Sequence, residues 1–153
     1  MTLPEIYQQL GEPACAELLR SMSMGRLRTY QLYDRIKTRL HVTKLNGETL
    51  RKIAPRVWQR LQEPDETLAQ ELAQAILISH LDMIKDVLDF LEIPHEDGFF
   101  AKDADVKSFL TEGWQQRVYA QFQGKYPAVL VAFYVNHLAH EIVPEAAFAG
   151  PVA

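Results

Sequence analysis

From about Asp65 to Ile93, apolar side chains recur every three or four positions. At 100° per residue, Leu72, Ala73, Ile76, Leu77, Leu81, Met83, Ile84, Val87, Leu88 and Leu91 fall on one half of a helical wheel. Glu71, Gln74, Asp82, Lys85, Asp86 and Asp89 fall on the other half, so the pattern predicts one long amphipathic helix against which the remaining elements pack. His80 interrupts it in the middle of the apolar arc. The entry Pro64-Asp65-Glu66-Thr67 supplies a cap from Asp65 or Thr67, and Pro94 stops the helix.

Before this stretch, the spacing predicts short helices over Leu3–Leu10 and Pro13–Met22, separated by Gly11. A basic amphipathic helix follows over Leu27–Leu40, and another over Glu48–Leu61 is entered through Asn46-Gly47. Pro55 lies inside the last of these and predicts a kink or two short helices meeting there. After the long stretch, His95-Glu96-Asp97-Gly98 reads as a polar turn, and Phe99-Phe100 as an aromatic pair tucked against the long helix. A short helix around Val106, Phe109 and Leu110, capped by Asp103 or Asp105, leads to Trp114–Phe122 between Gly113 and Gly124. The final helix, from Pro127 to about Val143, is apolar nearly all round through Val135, which predicts deep burial. Residues 144–153 read as a loosely ordered tail onto which Phe148 can dock. The expectation is a single all-α domain over 1–153, an irregular helical bundle of about six to eight helices around two long central ones. No strand pattern is expected.

Length and composition narrow the class. A chain of 153 residues buries a full core without staples, so folding needs no metal. Cys15 is the single cysteine, which excludes an intramolecular disulfide, suits a reducing cytoplasm and reads as a small buried side chain. The longest uninterrupted apolar stretch, Ala128 to Val135, is far short of a bilayer span, and the N-terminal residues lack the pattern of a signal peptide.

The net charge of -4 hides a lopsided distribution. Between Arg20 and Arg60 there are 11 basic residues against two acidic ones; from Glu63 onward there are five basic against 15 acidic. Within the basic segment of residues 26–60, Arg28, Arg35, Arg39, Lys52, Arg56 and Arg60 form a cationic face interleaved with Tyr30, Tyr33 and Trp58. Such a face can follow phosphates or hold an acidic protein. It can also be neutralised by carboxylates such as Asp82, Asp86, Asp89 and Glu92.

A second constellation is His80 with His137, His140 and Glu141. The last three share one side of a helix by their spacing, and an imidazole from the long helix could complete a site for zinc or another divalent transition metal. The order His-x-x-His-Glu matches neither His-Glu-x-x-His nor Glu-x-x-His. The plainer alternative is a core histidine at 80 and a partly wet helix end. Phosphate-cradling glycine loops, nucleophile signatures and cysteine clusters are absent from the sequence. The reading that follows is a non-enzymatic cytoplasmic interaction module, with a protein partner or self-association and no cofactor. A nucleic-acid-binding protein and a metal-dependent one are the alternatives.

Overall fold

A computed structural model describes residues 1–63 and 65–151. Pro64 of the expected helix entry, and Val152 and Ala153 of the tail, lie outside the described residues. The fold is all-α: among the described residues there are nine α-helices, one turn of 3-10 helix and one two-stranded hairpin. The chain divides into two compact units, Leu3–His80 and Leu81–Ala153, the latter joined by Met1–Thr2.

The first unit holds α1 (Leu3–Leu10), α2 (Glu12–Arg20), α3 (Met24–Thr29), α4 (Tyr33–Arg39), α5 (Gly47–Gln62) and α6 (Glu66–Ser79). Helix α2 lies along α5, α1 touches α2, α5 and α6, and α3 and α4 both rest on α6. The buried stripe of α5 is Leu50, Ile53, Ala54, Val57 and Leu61, the i, i+3, i+4, i+7 set that an amphipathic helix turns inward. Pro55 does not divide this helix; it is exposed, and the backbone acceptor it leaves unpaired four residues earlier is on the solvent side. Asn46 accepts from the Thr49 amide and Asp65 from the Leu68 amide, capping α5 and α6. Tyr7 is buried, with its hydroxyl donating to the Ala69 carbonyl at 3.1 Å.

Two expected helices are each divided in two. Leu27–Leu40 breaks at Gln31, which has φ 61°. Around it the Leu32 amide donates to the Leu27 carbonyl and the Gln31 amide to the Arg28 carbonyl, the bond pair of a Schellman helix end. The same pair closes α4 at His41 and α7 (Leu81–Phe90) at Glu92. Each of these ends places a non-glycine residue in the left-handed region.

The long helix is interrupted at His80, where φ is -128° and ψ is 39°. Ser79 donates its hydroxyl to the Ala75 carbonyl, a bond that bends helices, and accepts from the Ser23 amide at 2.9 Å. One of the two expected central helices is therefore α6 followed by α7, in different units.

The second unit continues from α7 through β1 (His95–Glu96), β2 (Phe99–Phe100), a 3-10 turn (Val106–Phe109), α8 (Trp114–Phe122) and α9 (Ala128–Ile142). His95 pairs with Phe100 and Glu96 with Phe99, antiparallel. The intervening Asp97-Gly98 has φ 51° and 94°, the positive values that a two-residue type I′ turn demands. The strands correct the expectation of a strandless chain. Phe99 and Phe100 are 46% and 38% exposed, so each is only partly covered; hairpin pairing fixes their backbone.

Helix α9 is buried from Leu130 through Asn136, and again at Leu138 and Ala139, as its sequence requires. Its one fully buried polar side chain, Asn136, donates to the Ala132 and Ala149 carbonyls and accepts from the Ala149 amide. Tyr119 and Gln116 of α8 donate to the carbonyls of Ala149 and Gly150. The tail expected to be loose is thus hydrogen-bonded onto α8 and α9 through residue 150.

Candidate functional site

The basic segment forms α3, α4 and α5, and its cations fall into two groups. Arg39 makes a two-pronged contact with Glu71 of α6, Nε to Oε2 at 3.3 Å and Nη2 to Oε1 at 3.0 Å. Arg60 donates to the Arg39 carbonyl at 2.9 Å and to Asp65 Oδ2 at 3.4 Å, while Arg56 donates to the Leu40 carbonyl at 2.9 Å. Those two carbonyls lie at the C-terminal end of α4, where a helix leaves acceptors without internal donors, so Arg56 and Arg60 cap α4 from α5. Three of the six expected contact residues are therefore parts of the fold.

The others are more accessible. Lys52 pairs with Glu48 one turn away at 3.2 Å, with both side chains more than two-thirds exposed, an arrangement that a partner can displace cheaply. The Arg28 guanidinium lies 4.2 Å from the Tyr33 ring centroid, and the Tyr33 hydroxyl is held between the amide and carbonyl of Leu45. Arg35 is exposed and has no hydrogen bond or ion pair among the described residues. It lines an open cleft of about 450 Å³ together with Asp34, Thr38, Arg39, His41 and Arg60. Sequence reasoning singled out Arg35, Arg39 and Arg60 but not Asp34, Thr38 or His41; the spacing Arg35, Thr38, Arg39 was the available signal for Thr38.

The candidate metal ligands are engaged locally. In the first unit, Ser21 Oγ donates to the Leu18 carbonyl at 2.7 Å and lies 2.9 Å from His80 Nε2. Its one proton being committed, the hydroxyl accepts from His80 Nε2–H. Burial holds the His80 pKa below its usual value. In the second unit, His137 Nε2 is 3.6 Å from Glu141 Oε1, and His140 Nδ1 donates to the Met1 carbonyl at 2.9 Å. Burial, with a smaller contribution from His140, lowers His137 to about 4, and burial pushes Glu141 up; each shift favours the uncharged form. Among the described residues, no group of three or more histidine, cysteine, aspartate or glutamate side chains is placed to hold a metal ion.

Cys15 is buried, as its sequence surroundings imply, with its thiol 3.5 Å from the Tyr7 carbonyl and its pKa pushed to about 12 by burial, then by Glu12. Of the acidic ridge, Asp86 accepts from the Tyr126 hydroxyl and pairs with Lys125 at 3.0 Å. Asp89 Oδ1 is 2.6 Å from His95 Nε2. No helix among the described residues is long and apolar enough to cross a membrane. Comparison with protein-family models, with curated proteins and with solved structures gives no match.

Proposed function

We propose that the chain is a non-enzymatic interaction module of the cytoplasm that uses the basic face of its first unit to hold an acidic segment of a protein partner. The observation that carries this reading is the division among the cations. Arg39, Arg56 and Arg60 answer internal acceptors, whereas Arg35, Lys44 and Arg51 are exposed without hydrogen bond or ion pair among the described residues. Charges left facing water attract an opposite surface and speed its approach, in a salt-dependent way. A row of phosphates would need more of the face to be free, which makes nucleic acid the weaker fit. A second copy of the chain is one acidic partner of the proposed kind, because residues 81–153 carry 11 acidic side chains against five basic ones.

The test is fluorescence anisotropy with a labelled oligoglutamate peptide and a single-stranded oligodeoxynucleotide of matched length, titrated at low and at physiological salt. The expected result is peptide binding that weakens with salt and is lost in Arg35→Glu/Arg51→Glu, which carries unchanged thermal stability. Arg56 and Arg60 are unsuitable because their loss uncaps α4. No peptide binding at low salt, or binding indifferent to the substitutions, overturns the proposal. Preference for the oligonucleotide would move the reading to nucleic acid.

A further inference from the structure

Arg35, Thr38 and Arg39 are three and four positions apart on α4, so one helix face presents all three. His41 lies two positions beyond Arg39, past the end of the helix, and Arg60 is brought beside them by its bond to the Arg39 carbonyl. The cleft they line with Asp34 already contains its own charge balance. Arg39 faces Glu71, Arg60 faces Asp65, and Asp34 faces Lys37 at 3.4 Å. What remains is the Arg35 guanidinium, beside a threonine hydroxyl and an imidazole whose side chains likewise have no partner among the described residues.

One uncompensated positive charge suits a single negative charge. A phosphate dianion would carry an excess charge beside three carboxylates, whereas a carboxylate matches the planar fork of arginine in both charge and shape. The Arg39–Glu71 contact shows the same pairing within this unit.

We propose that this cleft is an anchor for one carboxylate group, an aspartate or glutamate side chain of the partner, held by the Arg35 fork with the Thr38 hydroxyl as a further donor. The proposal rests on the acidic-partner reading, but its test separates the two. Side-chain NMR of the arginine Nε–H groups in the full chain would follow titration with N-acetylglutamate, with N-acetylglutamine and with inorganic phosphate. The expected result is a saturable shift of the Arg35 signal with N-acetylglutamate, absent with N-acetylglutamine and lost in Thr38→Val. In the anisotropy assay, Arg35→Lys, which keeps the charge and loses the fork, should weaken oligoglutamate binding several-fold more than Arg51→Lys does.

Equal effects of those two substitutions, or an Arg35 signal unmoved by N-acetylglutamate, would overturn the anchor while leaving the basic face intact. A larger saturable shift with phosphate would overturn the carboxylate assignment. Saturation by N-acetylglutamate without oligoglutamate binding would support the anchor and remove the acidic-protein reading.

Discussion

Replacing Asn136 by alanine should loosen the C-terminal segment and destabilise the second unit. The side chain is fully buried and makes three hydrogen bonds, at 2.8 Å to the Ala132 carbonyl and at 3.1 and 2.8 Å to the carbonyl and amide of Ala149. At about 1 kcal/mol net for each, their loss costs about 2–3 kcal/mol. Ala149 is only partly buried, so water can reach its freed groups and keep the cost from rising further. Tyr119→Phe removes a fourth bond, 2.6 Å to the same Ala149 carbonyl, and should cost about 1 kcal/mol alone. Once Asn136 is gone the segment no longer holds its acceptor in place, so the double substitution should cost about 1 kcal/mol less than the sum. Urea denaturation would be followed by Trp114 fluorescence in a Trp58→Phe background, which confines the signal to the second unit. Limited proteolysis would report release of the tail. An Asn136→Ala cost below about 0.5 kcal/mol, or strict additivity with Tyr119→Phe, would refute the idea that these side chains act together through residue 149.

The Cys15 thiol, pushed to about 12 by burial, should resist a disulfide reagent at neutral pH and react only on unfolding; rapid reaction of the native chain would contradict its packing. His137, held down to about 4, binds fewer protons folded than unfolded between that value and the ordinary 6.5. Its contribution is complete above pH 6.5 and is lost as the pH falls toward 4, amounting to about 3 kcal/mol at most. His80, also lowered by burial, adds a slope of the same sign, while the raised Glu141 opposes it where that carboxyl titrates. Stability measured against pH should therefore flatten over this window in His137→Gln, and an unchanged slope would rule the assignment out. At Gly98, φ is 94° and an added Cβ would lie 3.2 Å from Leu81 Cδ2, whereas Gly124 has φ 83° and nothing within 4 Å. Gly98→Ala should cost about 2 kcal/mol and Gly124→Ala about 1 kcal/mol by thermal denaturation; the reverse order would refute the packing argument.

Where punctuation residues mark an element's ends, the sequence is sufficient. Gly113 and Gly124 bound α8 as expected, and Pro127 and Pro144 bracket α9. The all-helical class follows from the same periodicities. Legibility fails where a helix ends without such a residue. Gln31 and Glu92 take the position usually given to glycine, so Leu27–Leu40 reads as one helix and α7 reads as longer than it is. The break at His80 depends on Ser21 and Ser23, nearly 60 positions earlier, and periodicity carries no trace of those bonds. The hairpin is a different kind of miss. Asp-Gly is a strong turn signal, but flanking strands of two residues each are too short to show an alternating pattern.

The basic segment shows why charge can be read from a sequence when availability cannot. Arg35, Arg39, Arg56 and Arg60 are indistinguishable as letters. Folding assigns Arg39 to a carboxylate 32 positions away, and Arg56 and Arg60 to carbonyls 16 and 21 positions away. It leaves Arg35 to the cleft. Reversing the charges of Lys52, Arg56 and Arg60 to test binding would therefore remove both arginine caps of α4. A loss of binding in that variant would then report the damaged helix end as much as the lost charge. Arg35→Lys avoids this, because it changes neither the net charge nor any hydrogen bond that closes α4.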